Sequence, residues 1–333
     1  MILSGFLAAA PLAAQSIPPV IDVHMHAFSY TEQGPPPLAM CTPMTMPVWD
    51  QRKPYGEIFM AMMKQPGCDD PVWSPMSDEE NLARNLAVME KYNVFGLLAG
   101  TDTYIDAWVA AAPERFSPGL TFTGKADSPT PEQLVALHKA GKLDVLTEMT
   151  TQYFGIEPTD PVLEPYWAAL AANDVPAGIH VGTGPPGVIY LGSPNYRARM
   201  HSALTMEEVL VANPELRVYL MHAGFPMLED LLVLMYAHPQ VYVGVGVIAH
   251  TQPRPMFYRY LQGIFDAGFG KRVMFGSDQM VWPEVTARGI EVINDAPFLS
   301  NTQKRDVLFW NAARFLRLSD EEIARMHAGG DPK

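Results

Sequence analysis

Four histidines and two carboxylates of this sequence stand at or near the ends of short apolar segments, where they could bind a metal ion. The first pair, His24 and His26, lies in the segment Asp22-Val23-His24-Met25-His26. In a β-strand, alternate side chains point to the same side of the backbone, so both imidazoles can reach one ion. An isolated His-x-His arises often by chance, and its meaning depends on the other donors.

Three more donors end separate apolar segments of the chain. They are His180, after Gly178-Ile179; His222, after Leu220-Met221; and Asp278, after Gly276-Ser277. In barrel enzymes the functional side chains lie at the carboxyl ends of different strands, which is where these residues fall. Glu148 ends a fourth segment and adds a carboxylate that either bridges to a second ion or forms hydrogen bonds at the barrel mouth, for example with Tyr153.

These six side chains predict a metal centre with nitrogen and oxygen donors and no thiolate. Such a set suits zinc first, with manganese or iron as alternatives, and it leaves a coordination position for water. The sequence leaves open whether one or two divalent ions bind. The chemistry expected of such a centre is hydrolysis or another reaction driven by a Lewis acid.

The donors need parallel strands to bring them together, and the chain supplies an alternation of β-type and helical segments from Val20 onward. Eight β-type segments occur: Val20–His24, Val94–Ala99, Leu120–Gly124, Val145–Met149, Ala177–Val181, Arg217–His222, Val241–Val245 and Arg272–Ser277. Helical patterns such as Asp78–Tyr92 separate them, and a last helical segment covers Asn301–Leu318. The predicted fold is α/β, a (β/α)8 TIM barrel. An open doubly wound sheet would favour a glycine-rich turn after the first strand, which is missing.

A long insertion is predicted over residues 27–77, after the first strand. Its length of about fifty residues is unusual for a strand-to-helix connection, so we expect it to form a roof or lid over the site. Its methionines and aromatic residues either pack on the barrel mouth, line an apolar substrate pocket or form a subunit contact. The last alternative would make the protein a homo-oligomer. Cys41 and Cys68 within it are either a disulfide or two free thiols.

The composition indicates a globular protein that does not bind nucleic acid. The chain has 333 residues, 48% of them hydrophobic and 18% charged, and 23 basic against 36 acidic residues give a net charge of −13. A phosphate backbone would be repelled by that charge. Residues 1–16 are apolar and rich in small residues, which predicts a signal peptide and a periplasmic or secreted protein; the alternative is a cytoplasmic protein whose apolar start packs on the barrel. We expect residues 17–333 to form one domain, with no membrane span in the mature chain.

The order of the donors, His24-x-His26, Glu148, His180, His222 and Asp278, resembles the amidohydrolase superfamily of metal-dependent barrels. The resemblance is greatest to the amidohydrolase-related family that also contains aromatic carboxylic-acid decarboxylases, and it extends from Val20 to about Leu318. The segments that carry it also include Phe275-Gly276-Ser277-Asp278, His222-Ala223-Gly224 and Asn311-Ala312-Ala313-Arg314-Phe315-Leu316.

The resemblance implies a role for each donor. The counterparts of His24, His26, His180 and Asp278 bind metal, and the counterpart of His222 lies beside the reacting group and is counted here among the metal-binding residues. The segment Glu148-Met149-x-x-Gln152-Tyr153 is similar to that of a deoxyribonuclease-like branch in which a glutamate bridges two metals. Other binuclear members use a carboxylated lysine at this strand. No lysine occurs there, which leaves a glutamate bridge or a single ion.

The function predicted from these residues is a metal-dependent hydrolase that cleaves an amide, ester or lactone of a small molecule. A bound metal lowers the pKa of water enough for attack on a carbonyl at neutral pH. Asp278 is expected to take and return the proton, and His222 to stabilise the oxyanion. The alternative is a non-oxidative decarboxylase of an aromatic acid, although some decarboxylases place Glu in the strand-one motif where this chain has His24. A third alternative is a binding protein that keeps the barrel but has lost the enzymatic activity. Such a protein would be expected to lack some of the metal donors, and none is missing from this sequence.

Other polar residues near the strand ends are weaker candidates for the site. His250 follows the seventh predicted strand and could contact substrate. Arg197 and Arg199, with Tyr190 and Tyr196, follow the fifth strand and could bind a substrate carboxylate, although an ordinary surface loop is favoured. His201 lies in the same polar loop and is expected to be solvated.

Overall fold

Parallel strands and helices alternate along the chain in the computed structural model, which describes residues 17–329. The segment predicted to be a signal peptide, residues 1–16, lies outside the described residues. The strands are β1 (Val20–Ala27), β2 (Ala39–Met40), β3 (Val72–Trp73), β4 (Val94–Gly100), β5 (Phe116–Ser117), β6 (Leu146–Met149), β7 (Ala177–His180), β8 (Val218–Met221), β9 (Tyr242–Gly244) and β10 (Val273–Met274).

Helices follow most of the strands and cover the outside of the sheet. They are α1 (Tyr55–Lys64), α2 (Asp78–Tyr92), α3 (Asp102–Ala111), α4 (Pro131–Lys139), α5 (Glu164–Ala172), α6 (Glu207–Ala212), α7 (Leu228–Ala237), α8 (Ile248–Thr251), α9 (Arg254–Asp266), α10 (Val285–Asn294), α11 (Asn301–Arg305), α12 (Asn311–Leu316) and α13 (Asp320–His327). A π-helical turn, Asp306–Trp310, joins α11 to α12 within the predicted last helix. None of the helices in residues 17–329 has both the length and the apolar character needed to cross a bilayer.

The strands of the predicted barrel form two parallel sheets whose edges are joined by backbone hydrogen bonds. The sheets have the orders β1-β4-β5 and β10-β9-β8-β7-β6. On one side the Val23 amide donates to the Phe275 carbonyl (3.0 Å). On the other, the Phe122 amide donates to the Glu148 carbonyl (2.8 Å). The TIM-barrel fold class predicted from the alternation is therefore confirmed.

The third strand differs from the prediction. The structure places β5 at Phe116–Ser117, whereas the sequence pattern indicated Leu120–Gly124, of which only Phe122 forms a bridge, to Met149 on β6. Pro118 has no amide hydrogen and interrupts ladder pairing between the two pieces. By contrast α2 has the predicted bounds, because the Ser77 hydroxyl accepts from the Glu80 amide (3.1 Å) at its start and Asn93 is left-handed at its end.

A β-bulge in β1 lets both apolar and metal-type side chains point into the barrel. Residues Asp22 to Met25 face Gly96 to Leu98 on β4, so β1 holds one extra residue there. The interior cluster contains Ile21 and Val23, whereas Met25 and Ala27 belong to the layer between strands and helices. The bulge changes the parity of the strand. His24 and His26 therefore point inward above an apolar barrel floor.

A second β-bulge occurs in β6. Leu146 pairs with Ala177 and Met149 with Ile179, so β6 also carries one extra residue. Val145 lies in the interior cluster, and Leu146 and Met149 lie in the outer layer. The extra residue falls at the level of Glu148. Both strands thus use a bulge where a donor has to be aimed at the barrel mouth.

The insertion after β1 folds onto the barrel mouth. In it, β2 and β3 pair antiparallel, and α1 lies between them in the sequence. A disulfide joins Cys41 to Cys68, so of the two alternatives left by the sequence the structure has the disulfide and not two free thiols. Leu38, Met40, Met63 and Val72 from the insertion share a core with Val281, Trp282 and Val285 after β10. On the opposite side the Tyr55 hydroxyl donates to the Pro186 carbonyl (2.6 Å). The insertion therefore reaches across the mouth between the β7 and β10 connections.

We predict that Trp282 anchors this insertion. Its side chain is 2% exposed, and its indole N–H donates to the Leu38 carbonyl (3.0 Å). Trp282→Ala should lower the free energy of unfolding by about 3–5 kcal/mol, because it leaves a cavity. Trp73→Ala, at a site that is 40% exposed in the same insertion, should cost about 1 kcal/mol or less. Urea unfolding of both variants checks this; equal losses would contradict an anchoring role.

Candidate metal centre

The six predicted donors meet at the carboxyl ends of the barrel strands. His24 and His26 come from β1, Glu148 from β6 and His180 from the last position of β7. His222 follows β8 directly, and Asp278 follows β10 by four residues. All six side chains are buried. Parallel strands share one carboxyl edge, so residues up to 254 positions apart in the sequence, His24 and Asp278, become neighbours.

A first group consists of His24, His26 and Asp278, together with one oxygen of Glu148. The Nε2 atoms of His24 and His26 are 3.0 Å apart, and Oδ1 of Asp278 is 2.9 Å from His26 Nε2 and 3.6 Å from His24 Nε2. Oε2 of Glu148 completes the group at 3.5 Å from His24 Nε2 and 3.7 Å from His26 Nε2.

A second group forms around His180. Its Nδ1 lies 2.6 Å from Oε1 of Glu148 and 3.0 Å from Nε2 of His222. Glu148 Oε1 and His222 Nε2 are 3.6 Å apart. Glu148 thus presents one carboxylate oxygen to each group and joins them.

The donor chemistry and spacing fit transition-metal ions. Two nitrogen ligands of one tetrahedral zinc ion, each about 2.0–2.1 Å from it, lie about 3.3 Å apart. The separations of 3.0 Å within the His24–His26 and His180–His222 pairs are close to that value. In each pair at most one hydrogen can lie between the two nitrogens, so a shared cation satisfies the lone pairs better than a hydrogen bond does.

The electrostatics keep both carboxyl groups ready to bind a cation. Burial by itself raises the pKa of Glu148 and of Asp278, but the neighbouring histidines, His24 first, outweigh it and hold both pKa values below their usual range. Both groups are therefore carboxylates at neutral pH.

His24 depends on two glycines that leave space for its ring. A Cβ added to Gly246 would lie 2.8 Å from His24 Nδ1, and one added to Gly276 would lie 2.9 Å from His24 Cβ. Both distances are shorter than real Cβ contacts. The glycine in the segment Phe275-Gly276-Ser277 is thus explained by packing against the first strand.

Backbone strain accumulates at the same level of the barrel. His222 (φ 65°) and Asp278 (φ 52°) are left-handed, as is Val247 (φ 55°) after β9. Such values are costly for residues other than glycine, by about 1–3 kcal/mol each, and they occur mainly at functional sites. At Asp278 the strain is accompanied by a hydrogen bond from its amide to the His24 carbonyl (2.7 Å).

Polar residues behind the donors hold them in place, and the sequence analysis missed them. Oδ1 of Asp22 accepts from the amides of His24 (3.0 Å) and Ser277 (2.9 Å), and burial raises the pKa of Asp22 to about 7 against the effect of those bonds. The Gln279 side chain accepts from the His26 amide (2.9 Å) and donates to the His26 carbonyl (2.8 Å). The available sign in the sequence was their position next to the predicted donors. Asp22 stands two residues before His24, and Gln279 directly follows Asp278.

His222 has a fixed tautomer. Its Nδ1 lies 3.0 Å from the Gly246 carbonyl oxygen, which can only accept, so Nδ1 carries the hydrogen. Nε2 is left with a free lone pair that points to His180 and Glu148. A backbone carbonyl behind an imidazole is the usual support of a metal-binding histidine.

The weaker candidates lie elsewhere or have structural contacts. His250 is buried, its Nε2 donates to the Ser277 carbonyl (2.9 Å), and it lines a cavity of about 430 Å³ that none of the six donors lines. Arg197 and Arg199 are exposed, and Arg199 pairs with Glu157 on the surface (2.8 Å). These arginines therefore conform to the surface-loop interpretation.

His201 is not solvated as the sequence analysis expected. It is 9% exposed, and its Nε2 lies 2.7 Å from Oη of Tyr196, which is itself buried. Burial lowers the pKa of His201 to about 4, so the ring is neutral near pH 7. The polar sequence around it concealed a loop that packs against the segment after β7, where the Tyr196 hydroxyl donates to the Gly182 carbonyl.

Comparison with known proteins places this arrangement in a family. A family model described as amidohydrolase matches residues 21–318. The chain belongs to the amidohydrolase family. The predicted resemblance is confirmed, and with it the expectation of an enzyme whose activity depends on metal. A search of curated proteins by sequence finds no match.

Solved structures of low sequence identity share the amidohydrolase barrel. An uncharacterised TIM-barrel protein from Bordetella bronchiseptica is 16% identical with a TM-score of 0.57, over 92% of this chain and 99% of that one. A 5-carboxyvanillate decarboxylase from Novosphingobium aromaticivorans, with bound manganese, is 16% identical with a TM-score of 0.53, over 71% and 80%. A probable 2-pyrone-4,6-dicarboxylic acid hydrolase from Acinetobacter baumannii is 12% identical with a TM-score of 0.56, over 90% and 99%. A probable hydrolase and a decarboxylase thus share this fold.

We predict that Gln279 supports metal binding without being a ligand. Gln279→Ala removes the paired hydrogen bonds that fix the His26 backbone and should weaken metal affinity by about 10- to 100-fold, as losses behind a ligand do. Gln51→Ala, at an exposed position of the insertion, should leave affinity unchanged. Competition with a chromogenic chelator measures both constants. An unaltered affinity in Gln279→Ala would show that β1 holds His26 in place by itself.

Proposed function

We propose that this amidohydrolase is a metal-dependent hydrolase that cleaves an amide, ester or lactone bond of a small molecule. The observation that carries the proposal is the pair of donor groups joined by Glu148 at the carboxyl end of the barrel. The ion held there would supply a Lewis acid that makes water nucleophilic near neutral pH. Zinc suits the donors first, with manganese or iron as alternatives.

The two donor groups favour two ions with Glu148 between them. His24, His26 and Asp278 would hold one ion, and His180 and His222 the other. Glu148 has one oxygen on each side, at 3.5 Å from His24 Nε2 and at 2.6 Å from His180 Nδ1. A single ion would need only one of these groups and would leave two imidazoles and a carboxylate oxygen buried without a cation.

Asp278 is assigned the proton transfer. Its Oδ1 lies in the first donor group, whereas Oδ2 has no hydrogen-bond partner in residues 17–329 and is 3.9 Å from His222 Nδ1. Oδ2 is therefore free to accept a proton from the attacking water and to give it to the leaving group. His222 would bind metal through Nε2. Its Nδ1 hydrogen is donated to the Gly246 carbonyl, so the stabilisation of the oxyanion that the sequence analysis assigned to His222 would come from the bound ion instead.

Decarboxylation of an aromatic acid is the second candidate. The ring of Phe28 stacks on His26 with centroids 4.4 Å apart, which provides an aromatic wall beside the centre. The manganese-containing decarboxylase with the same fold supports this alternative. A screen of esters, lactones, amides and phenolic acids with metal-loaded protein separates the candidates. Products that contain the elements of one added water support hydrolysis, and release of CO2 without water uptake supports decarboxylation.

We expect Asp278→Asn to retain metal and lose turnover. The amide keeps the size and one oxygen ligand but cannot accept the proton, so turnover at saturating substrate should fall by about 100- to 10,000-fold. Asp266→Asn, on the exposed face of α9, is the matched control. The substrate found in the screen is used, and metal content is measured on the same samples. Full turnover in metal-loaded Asp278→Asn would assign the proton transfer to another group.

We expect close to two transition-metal ions per chain after reconstitution with zinc. Glu148→Gln removes the bridging charge and should lower the content to one ion or fewer, whereas Glu157→Gln, on the surface beside Arg199, should retain the wild-type value. Elemental analysis after gel filtration gives the number. One ion in the wild type and in Glu148→Gln alike would reject the bridge and leave a mononuclear centre.

A further inference from the structure

One tyrosine beside the metal centre has a hydroxyl group that the fold does not use. Tyr153 lies in a 3₁₀ turn, Thr151–Phe154, directly after β6 and five residues beyond Glu148. Its ring packs edge-on against the His180 ring with centroids 4.8 Å apart. The turn therefore fixes the ring against one of the proposed metal ligands.

The neighbouring tyrosine provides a contrast. Oη of Tyr196 accepts from the Gly184 amide (3.0 Å) and lies 2.7 Å from both the Gly182 carbonyl and His201 Nε2. Its hydroxyl is thus saturated by structural contacts. In residues 17–329, Oη of Tyr153 has no hydrogen-bond partner, although the two rings are only 5.5 Å apart.

The space around the Tyr153 hydroxyl is kept open by a glycine. A Cβ added to Gly184 would lie 2.9 Å from Oη of Tyr153, so a larger residue there would press on the hydroxyl. The Tyr153 side chain is partly exposed, in contrast to the fully buried donors. An accessible hydroxyl at the wall of a buried polar centre is positioned to meet a bound molecule rather than the protein.

This hydroxyl is a hydrogen-bond donor. An ordinary tyrosine phenol has a pKa of about 10 and carries its proton near neutral pH. Neither carboxylate forms a hydrogen bond with it, so the proton remains available.

We propose that Tyr153 is a further catalytic residue, whose Oη donates a hydrogen bond to a negatively charged oxygen atom of the substrate at the metal centre. The inference rests on the proposed function, since it needs a ligand oxygen between the donor groups and the Tyr153 hydroxyl. It also orients the substrate: the oxygen atom that is, or becomes, negatively charged lies on the His180 side of the site. A hydrogen bond to a charged oxygen is stronger than one between neutral groups.

The test uses inorganic phosphate as a probe oxyanion, so that it does not depend on knowing the substrate. Wild type and Tyr153→Phe are loaded with zinc, freed of excess metal by gel filtration and titrated with phosphate in a calorimeter. Tyr153→Phe keeps the ring on His180 and removes only the hydroxyl. We expect equal zinc content and a phosphate Kd weaker by about 10-fold or more, the loss typical of a hydrogen bond to a charged group. Tyr236→Phe, 84% exposed on α7, should bind as the wild type does.

Several results would overturn the inference. Phosphate affinities within about twofold of each other would show that the hydroxyl does not meet a bound oxyanion. A lower zinc content in Tyr153→Phe would make Tyr153 a metal ligand, and no phosphate binding to zinc-loaded wild type would remove the oxyanion site. A wild type that takes up no transition metal contradicts the proposed function as well, so the two failures are distinguished by the metal analysis.

Discussion

Burial of six ionisable side chains in mutual contact is the constraint on which the mouth of this barrel depends. Each buried charge costs several kcal/mol unless partners compensate it. Here four imidazoles and two carboxylates compensate one another at distances of 2.6–3.9 Å. The arrangement tolerates little displacement. The glycines beside His24, the left-handed residues at His222 and Asp278 and the amide of Gln279 all serve to hold it.

Two strands carry their core residues and their site residues at positions of opposite parity. In β1, Val23 faces the apolar interior and His24 faces the site, although strict alternation along a strand would put them on opposite sides. One extra residue in β1 and one in β6 change the parity at the required level. Val23 then fills the core while His24 faces the centre, and the same shift lets Glu148 lie between the two histidine groups. The bulges thus convert a packed barrel into a site at one end.

The fold leaves the reaction open, because proteins with the same barrel carry out different reactions. Structures with this fold at 12–17% identity include a probable hydrolase and decarboxylases. In this chain the roof is an insertion tied by a disulfide, anchored at Trp282 and hydrogen-bonded to the β7 connection through Tyr55. Together with Phe28 and Tyr153 it sets the shape and polarity above the donors. Loops at the mouth of a barrel carry function, so we expect these segments rather than the strands to select the substrate.

The sequence by itself predicted the barrel, the family and the six polar residues that meet at its mouth, because periodic apolar segments and residues at strand ends are local signals. It placed α2 within its observed bounds and His24 and His26 on one side of β1. Only the tertiary structure decided that Glu148 spans two groups, that Asp22 and Gln279 support the first strand, that Cys41 pairs with Cys68, and that His201 is buried. It also moved the third strand to Phe116–Ser117. Most of these depend on contacts between residues distant in sequence or on a bulge that breaks the local period, and residue spacing can suggest such features but does not decide them.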